Sequence, residues 1–562
     1  MYTIYSNALM ILFSILVIGA LYQSKKQPYK STGSIANILQ RAELFAQKYW
    51  YVILAVIFLV FIFSRMFKLG LIPGGMNADE MGSAYDAQNL LNYHVDRYLT
   101  PFPVYLRNYG DGENALYAYL CAILFAFTGF SLRAFRFVAV ACGTLCFFAS
   151  FVIADDLFHN KLRACLAPFF VTILPVYFMS ERWGAECYLF LSFITVSFLF
   201  YERAILRGHW LYYLFAGLFF GITLYTYAIS YIVLLLFLVI STLYLIYLRK
   251  FSFGKTVILA IPLTLLATPL ILFQLVNMQI LPEFRFLFTE FKRLPGYRGG
   301  DLGLHYIAQN LMFFKDMICG NVILLYNAHP AYGTLYLFSV PLILHGFGIC
   351  IVRAIRSVRE KRFSMEALFA LLAVIAYFMA LIILDPNVNK VNEIYFPLMF
   401  FIAVSVHDIW ERLPALLPVI PIGYMCAFLA FSSFYFLHYN DPQYEYLNFA
   451  NVEVGNAIMH LNNNYDVNHR KVYIMTKHHY TEQWEEMIVL TYGGVNPYKR
   501  NPGEPAQDNY YMGLPENLSL EEDCLYILDN NWRHITNYLG ENGFIIDDAF
   551  PNYAICYRGK QH

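Results

Sequence analysis

The sequence has few charged residues and no excess of either sign. Only 14% of its 562 residues are charged, whereas soluble domains average about 25%. Lys and Arg total 39 and Asp and Glu also total 39, so the formal net charge is zero. The low charge indicates that most of the chain lies in lipid. The neutral balance gives no indication of a nucleic-acid partner.

Motifs for metal binding and for secretion are also missing. The ten cysteines form no CxxC pair, and most lie in apolar runs. We therefore interpret them as small buried hydrophobic residues and not as metal ligands. The apolar segment from Leu9 to Ala20 follows residues without a positive charge, so no cleavable signal peptide is evident. No internal repeat stands out, which leaves the hydrophobic runs to define the class.

Hydrophobic residues make up 59% of the sequence and are concentrated in long runs. Because a bilayer core needs about 20 apolar residues per helix, these runs predict about twelve transmembrane helices. The fold class is therefore an α-helical polytopic membrane protein. The predicted spans are 7–22, 50–67, 135–153, 166–179, 188–204, 210–225, 229–248, 257–276, 335–352, 367–384, 394–406 and 416–437.

Basic residues indicate which side of the membrane each loop faces. Lys25, Lys26 and Lys30 follow the first predicted span, and the alternation of basic and other loops continues along the chain. Loops rich in Lys and Arg stay in the cytoplasm. The remaining loops are therefore predicted to face outside, and they are 68–133, 180–187, 277–334 and 385–393.

The chain is predicted to have three parts. Residues 1–49 form an additional span with a cytoplasmic linker, and residues 50–437 form the main transmembrane module. From Asn440 the composition becomes that of a soluble domain. VYIMT and CLYILDN have the pattern of short buried strands, and NVEVGNAIMHLN that of a helix. Residues 438–562 are thus predicted to form a small extracytoplasmic α/β domain.

Acidic residues follow the second predicted span directly. The segment from Gly74 to Asn92, GGMNADEMGSAYDAQNLLN, carries Asp79, Glu80 and Asp86. A second acidic loop, MSERWGAEC, is predicted to emerge on the same outer face. An acid pair at the membrane surface, followed by a helix, is typical of an active-site loop. The alternative is a polar loop that only connects two spans.

Cationic side chains lie in the later outer loops. Arg293 and Arg298 occur in EFRFLFTEFKRLPGYRGGDLG, and Lys390 occurs in DPNVNKVNE. Sugar transfer from a polyprenyl phosphate needs a carboxylate to remove the proton of the acceptor hydroxyl. It also needs cations or a metal to stabilise the departing phosphate. We therefore assign these three cations to the donor phosphate; the alternative for each is a solvated cation near anionic lipid headgroups.

Four segments resemble the GT-C superfamily of integral-membrane glycosyltransferases, specifically its protein O-mannosyltransferase and aminoarabinose-transferase group. NADEMGSAYD resembles the Asp-Glu motif of the first outer loop, and SERWGAE resembles the second outer loop. GENALYAYLCAILFAFTG and SLRAFRFVAV, which contains Arg136, resemble the surface helix and the following span. NKVNEIYFP resembles a late outer-loop segment. The resemblance implies a GT-C fold and a lipid-linked sugar donor.

The resemblance also implies roles for individual residues. Asp79 is implied as the general base, and Glu80 as the neighbour that shapes the catalytic site. Glu186 is implied as the second-loop carboxylate that contacts the acceptor or, with Asp79, a metal ion. Arg182 is implied as a bidentate phosphate ligand. The alternatives are an acid that is favourable at a helix N-terminus for Glu80 and a snorkelling side chain for Arg182.

The sequence departs from the family at the start of the second surface helix. Relatives carry Lys or His followed by Pro there, whereas this chain reads Gly-Asp-Gly-Glu-Asn-Ala from Gly110 to Ala115. Asp111 and Glu113 would make the site more acidic. They would favour a divalent cation, as in oligosaccharyltransferases.

The sequence therefore predicts a glycosyltransferase in a bacterial plasma membrane, with its site on the extracytoplasmic face. The expected acceptor is a cell-envelope glycan, teichoic acid, lipid or protein. The expected partners are the bilayer, the lipid-linked donor, and an upstream lipid-sugar synthase and flippase. The alternatives are a transporter or flippase of lipid-linked sugars, a polymer ligase with a lipid-diphosphate donor, and a non-catalytic scaffold.

Overall fold

The fold is a bundle of apolar helices followed by a small mixed sheet. The computed structural model describes residues 2–24, 34–108, 111–297, 301–313, 315–316, 329, 331–416, 418–441, 450–467, 470–476, 482–501, 506–521 and 523–558.

Nine helices in the described part of the chain are long and apolar enough to cross a membrane. A tenth span results if Arg41–Lys48 and Trp50–Met66, which are bent by 70° at their junction, are taken together. The chain is therefore a multi-pass membrane protein, as predicted. The nine helices are Tyr2–Gln23, Leu132–Phe158, Glu186–Arg207, Ser230–Tyr247, Phe253–Asn277, Leu337–Glu360, Met365–Ile382, Asn392–Arg412 and Val419–His438.

The count of about twelve spans differs from these nine or ten at two places. The predicted span 210–225 corresponds to Trp210–Thr223, which has only 14 residues. The predicted span 166–179 is broken into two short helices, Leu166–Ile173 and Pro175–Ser180. Both segments are helical and apolar, but each is shorter than an uninterrupted span.

The break at Pro175 explains a buried charge in the bundle. Pro175 has no N–H, so the carbonyl of Val171 lacks its usual helical donor. The Arg65 guanidinium donates to the carbonyls of Val171 at 2.9 Å and Thr172 at 2.6 Å instead. Its Nε also forms a 2.7 Å ion pair with Glu181. Arg65 and Glu181 therefore stabilise the broken helix.

Arg182 has a similar structural position. It is fully buried, and the carbonyls at the end of the helix Trp50–Met66 lack intrahelical donors. Its terminal nitrogens donate to these carbonyls, which gives Arg182 a structural role in holding the helix end. The phosphate-binding role of Arg182 stays a prediction. The four acceptors are the carbonyls of Ser64 at 2.8 Å, Arg65 at 2.6 Å, Phe67 at 2.9 Å and Ile72 at 2.6 Å.

Residues 68–133, the first predicted outer loop, contain two helices and a hairpin. We call Ala78–Tyr93 the site helix, and it is followed later by the apolar helix Leu116–Thr128. Both helices are predicted by the sequence. Between them lies a hairpin that was not predicted, which we call the site hairpin, with strands Tyr105–Asn108 and Asp111–Asn114. The hairpin brings its acids towards the site helix.

The loop 277–334 contains short ordered elements where it is described. Phe284–Phe286 and Thr289–Phe291 form an antiparallel hairpin. A short helical stretch follows, with Leu304–Tyr306 in 3₁₀ form and Ile307–Asn310 in α form. The other described helices of the membrane region are Ser34–Lys48, Lys161–Ala164 and Pro414–Leu416, and the spans that begin at Leu337 and Asn392 each start with a 3₁₀ turn.

The C-terminal residues form a six-stranded mixed sheet with helices, as predicted. Lys471–Met475 pairs in parallel with Tyr510–Met512 and Cys524–Asp529. The predicted strand at Cys524–Asp529 is buried along its whole length, which explains its continuous apolar sequence. The exact domain boundaries stay predictions. The other elements are Ala450–Asn464, Glu482–Gly493, Pro497–Lys499, Ala506–Gln507, Asn530–Trp532, Arg533–Glu541, Ile545–Asp547 and Tyr553–Tyr557.

Replacing Arg182 with Met is expected to destabilise the bundle strongly. Each buried carbonyl left without a donor costs about 1–3 kcal/mol, and Met fills the space without donating. Thermal unfolding of the detergent-solubilised protein measures this loss. Arg359→Met is the matched control, because Arg359 is exposed. Equal unfolding temperatures for the two variants would contradict the structural role of Arg182.

Candidate active site

Glu80 anchors the start of the site helix. Asn77 caps the helix by accepting from the Glu80 N–H at 2.7 Å, and the Glu80 carboxylate accepts from the Asn77 N–H. The Glu80 side chain is fully buried and binds the Arg136 guanidinium through two contacts of 2.9 Å. Its Oε1 also accepts from the Gly184 N–H at 2.8 Å. Both carboxylate oxygens are thus engaged, which makes Glu80 a positioning residue and not a group that contacts substrate.

Asp79 is exposed beside the buried Glu80. Its Oδ1 accepts a hydrogen bond of 2.8 Å from the Asn108 side-chain amide. The same amide group donates to Glu113 Oε2 at 2.9 Å, and the Asn108 oxygen accepts from Arg97 at 3.1 Å. Asn108 therefore joins two of the predicted carboxylates. Sequence reasoning missed Asn108 and Arg97, because neither lies in a recognisable motif.

Glu113 is buried in the site hairpin. Its Oε1 accepts from the Ser83 hydroxyl. Burial raises the pKa of the Glu113 carboxyl to about 8, and the nearby charges of Asp79 and Asp86 act in the same direction, whereas Arg97 opposes it. Glu113 is therefore mainly protonated near neutral pH. Protonation reduces the repulsion between the carboxyl groups of the site.

Glu186 adds a third carboxyl group from another segment. It is the first residue of the helix Glu186–Arg207 and is half-buried. Glu113 and Asp79 are its acidic neighbours. The structure thus brings Asp79, Glu113 and Glu186 together, although 107 positions separate the first from the last. The remaining acid, Asp111, is half-buried and pairs with Asn108 in the register of the site hairpin.

The arrangement of acidic, His and Cys side chains bears on the predicted metal site at Asp79 and Glu186. Among the described residues, no group of three or more His, Cys, Asp or Glu side chains could hold a metal ion. Asp79 and Glu186 therefore do not belong to a complete protein-derived ligand set. The divalent cation stays a prediction, and the chemistry that follows uses only the residues of this chain.

A cavity of about 350 Å³ opens beside Glu186. Lys390 lines the same cavity, is half-buried and donates to the Leu384 carbonyl at 2.7 Å. The predicted acid of the second loop and the predicted cation of a late loop therefore meet at one site. The other polar and aromatic side chains of the lining are those of Tyr105, Tyr227, Tyr231, Phe273, Gln274, Tyr297 and Asp301.

Arg293, a second predicted phosphate ligand, does not line this cavity. Arg293 is exposed and lines a separate cleft of about 90 Å³ together with Asp96 and Tyr98. Its Nε donates to the Val276 carbonyl at 3.3 Å. The structure therefore does not bring Arg293 next to Glu186. Arg298 lies outside the described residues, and its role stays a prediction.

Known proteins resemble this chain in sequence and in fold. Residues 114–275 match the family model described as dolichyl-phosphate-mannose-protein mannosyltransferase. Apo ArnT from Cupriavidus metallidurans has a TM-score of 0.53 at 11% identity, over 91% of this chain and 98% of ArnT. ArnT bound to undecaprenyl phosphate has a TM-score of 0.51 at 10% identity, over 90% and 97% of the two chains.

A third solved structure has a lower similarity. The oligosaccharyltransferase AglB from Archaeoglobus fulgidus, in complex with an inhibitory peptide and a dolichol-phosphate, has a TM-score of 0.43 at 13% identity. The match covers 90% of this chain and 74% of AglB. No curated protein matches the sequence.

Over residues 114–275 the chain resembles protein mannosyltransferases in sequence, and it shares its fold with ArnT. This confirms the predicted fold class and enzyme class. The matched segment contains Arg136 and Glu186. It does not contain Asp79, so the assignment of the base depends on the geometry of the site alone.

Replacing Glu113 with Gln is expected to stabilise the protein at alkaline pH. The folded-state pKa of about 8 lies above the ordinary value of 4.5, so ionisation increasingly destabilises the folded state as the pH rises between these values. Gln keeps the shape and cannot ionise. We expect the unfolding temperature of the variant to exceed that of the wild type at about pH 9 and to match it at about pH 4.

Glu290→Gln is the matched control for this measurement, since Glu290 lies on a different hairpin and pairs with Lys292 at 2.7 Å. The difference in unfolding temperature between Glu290→Gln and wild type should not show the pH dependence expected for Glu113→Gln. If Glu113→Gln and wild type unfold at the same temperature at alkaline pH, Glu113 does not carry a raised pKa.

Proposed function

We propose that this chain transfers a sugar from a polyprenyl-phosphate-linked donor to an acceptor hydroxyl, with Asp79 as the general base. The observation that carries the proposal is the position of Asp79. It is the exposed member of a carboxyl cluster whose other members, Glu113 and Glu186, are more buried. An exposed carboxylate can accept the proton of an incoming hydroxyl, whereas a buried protonated carboxyl cannot.

The reaction would use one oxygen of Asp79. Asn108 donates to Oδ1, which fixes the carboxylate and leaves Oδ2 for the acceptor. As the acceptor oxygen attacks the anomeric carbon, its proton passes to Asp79. The bond between the anomeric carbon and the phosphate oxygen breaks, and the polyprenyl phosphate leaves with the bonding electron pair. The proton and the charge are thereby balanced.

The cavity beside Glu186 supports binding of the sugar and its phosphate. Tyr105, Tyr227 and Tyr231 supply aromatic surfaces, and Gln274 and Asp301 supply polar groups. Lys390 is the described cation of this lining. An ammonium group there would stabilise the negative charge that develops on the departing phosphate. We therefore assign the donor headgroup to this cavity.

An apolar cavity supports binding of the prenyl chain. It measures about 450 Å³ and lies among the helices Leu337–Glu360, Met365–Ile382 and Asn392–Arg412. Leu381 and Ile394 belong to its lining and flank the loop that carries Lys390. A lipid whose phosphate contacts Lys390 could thus extend its tail between these helices. The relative ArnT has been solved bound to undecaprenyl phosphate, which supports a lipid carrier of this class.

The distribution of charge supports an extracytoplasmic site. The helix Glu186–Arg207 begins at the carboxyl cluster and ends at basic residues, where Arg203 forms a 2.6 Å ion pair with Asp156. Basic helix ends stay in the cytoplasm, so the carboxyl cluster would face outside. We propose a bacterial plasma membrane, with the soluble part of the chain selecting an envelope acceptor. An upstream lipid-sugar synthase and a flippase would supply the donor.

Asp79→Asn should abolish transfer while the protein still folds. The substitution removes the base and nearly keeps the shape, and loss of a general base costs about 100- to 10,000-fold in rate. The rate is measured with purified protein and a polyprenyl-phosphate-linked sugar. Mass spectrometry of the cell envelope from wild-type, variant and deletion strains identifies the acceptor.

Glu290→Gln serves as the control and should keep the wild-type rate. If Asp79→Asn keeps the modification that the deletion strain loses, Asp79 is not the base. If the purified protein moves a lipid-linked sugar across a vesicle membrane without forming a glycosidic bond, the chain is a transporter. If only a lipid-diphosphate donor reacts, the chain is a polymer ligase.

Val374→Trp should weaken binding of a long prenyl donor. Val374 lines the apolar cavity and is 53% exposed, so a larger ring fills the space without displacing buried neighbours. We expect the KM for a long-chain donor to rise about tenfold, or about 1.4 kcal/mol. A donor with a short prenyl chain should be unaffected. Val239→Trp is the matched control, because Val239 is 50% exposed on another helix. If Val374→Trp changed the KM for the long-chain and the short-chain donor equally, this cavity would be excluded as the site of the prenyl tail.

A further inference from the structure

Arg97 connects the carboxyl cluster to the rest of the protein. It is buried, and its Nε lies 3.1 Å from Asp86 Oδ2 on the site helix. One terminal nitrogen donates to Asn108 Oδ1 at 3.1 Å, and the other lies 3.7 Å from the sulfur of Met487. Met487 belongs to the helix Glu482–Gly493 of the C-terminal region, which we call the docking helix. Arg97 thus contacts the site helix, the site hairpin and the docking helix.

The site helix is shaped to accept this guanidinium. Gly82 lies three residues after Asp79, and a Cβ at this position would come within 2.5 Å of an Arg97 terminal nitrogen. Any larger residue would displace the guanidinium. The Arg97 N–H donates to Asp86 Oδ1 at 2.7 Å, so the backbone of Arg97 is held as well. The position of the Arg97 head group is therefore defined from several sides.

The C-terminal region binds the site helix through specific polar contacts. Thr491 donates to the Met81 carbonyl at 3.0 Å and accepts from the Gln88 amide through its own carbonyl at 2.9 Å. The Tyr85 hydroxyl donates to the Val495 carbonyl at 2.9 Å. These contacts hold the docking helix against the same helix that carries Asp79.

Arg500 extends this interface to Arg97 itself. Its terminal nitrogen donates to the Arg97 carbonyl at 3.1 Å, and its Nε forms a 2.8 Å ion pair with Glu486. Glu486 lies on the docking helix, and both partners of the pair are nearly buried. Thus two C-terminal residues, Met487 and Arg500, contact opposite ends of Arg97.

We propose that Arg97 is a positioning residue through which the docked C-terminal region holds Asn108, and thereby Asp79, in place for catalysis. The physical reason is the orientation of the Asn108 amide. A guanidinium only donates hydrogen bonds, so it selects the amide orientation in which oxygen faces Arg97. The NH₂ group must then face Asp79 and Glu113, as observed. The reverse orientation would direct the amide oxygen at two carboxyl groups.

The proposal rests on Asp79 being the base and predicts an indirect effect on the rate. Arg97 does not belong to the donor cavity lining, so its loss should change kcat and leave KM nearly unchanged. A displaced base costs rate because proton transfer depends on its geometry. A residue with a merely general structural role would instead reduce the amount of folded protein without this selective effect.

A double-mutant cycle tests the route from Arg97 to Asn108. Arg97→Lys keeps the charge and loses the fork geometry, and Asn108→Ala removes the amide. We expect each variant to lower kcat about 10- to 100-fold, with KM for the donor changed less than about twofold. Because both changes release the Asp79 carboxylate, the double variant should be no slower than Asn108→Ala alone. Losses that multiply in the double variant would overturn the proposal.

Variants of Arg500 test the link between the C-terminal region and Arg97. They also keep the proposal testable if an Arg97 variant does not fold. Arg500→Gln should lower kcat in wild type and have a smaller effect when combined with Arg97→Lys. Arg533→Gln is the matched control, because Arg533 forms an exposed ion pair with Asp548 in the same region. Thermal unfolding is measured for all variants. A rate for Arg500→Gln equal to that of Arg533→Gln would exclude the C-terminal link.

Asp79→Asn separates failure of this proposal from failure of the proposed function. If Asp79→Asn is inactive and the kcat losses of Arg97→Lys and Asn108→Ala multiply in the double variant, Asp79 is the base and Arg97 does not position it through Asn108. If Asp79→Asn stays active while the cycle is non-additive, the base assignment fails and the Arg97–Asn108 link stands, with Glu113 as the remaining carboxyl partner of Asn108.

Discussion

The buried ion pair between Glu80 and Arg136 is the interaction on which the site depends. Its two parallel contacts are formed without exposure to solvent, where an unpaired charge would be strongly destabilising. Arg136 also donates to the carbonyls of Pro73 and Gly75, and Glu80 accepts from Gly184. The pair thus fixes the start of the site helix to the membrane bundle and to the loop that contains Gly184. Asp79 is exposed because its neighbour is held inward.

Three carboxyl groups of the site differ in their surroundings, and these differences separate their roles. Glu80 is buried with an arginine in direct contact and stays committed to structure. Burial raises the pKa of Glu113, and the hydrogen bonds that it receives from the neutral donors Ser83 and Asn108 only partly oppose this shift. Asp79 is exposed and held by one amide. Acids in one site that differ in this way can divide the functions of anchoring, charge reduction and proton acceptance.

Sequence patterns predicted the elements and several members of the site. Hydropathy located the helices, and the basic loops placed Asp79, Glu186 and Lys390 on one side of the membrane. The backbone contacts of Arg182 could not be foreseen, because an arginine near a membrane edge has the same sequence pattern whether it binds phosphate or backbone carbonyls. The need for those carbonyls to be satisfied became visible only in the helix end at Ser64 and Arg65. Arg97 was missed because it lies in a turn, and Asn108 because it ends a strand of four residues, which is too short to show a clear periodicity.

The sequence by itself determined that this is a membrane helix bundle followed by an α/β region, and it predicted that the acids and cations share one face of the membrane. Those properties follow from composition and charge along the chain, because hydrophobic burial decides where each segment lies. Only the tertiary structure decided which acid is exposed, which is protonated and which is paired. Hydrogen bonding and desolvation act over a few ångströms between residues distant in sequence, such as Ser83 with Glu113 and Arg97 with Met487. No local pattern in the sequence records such contacts.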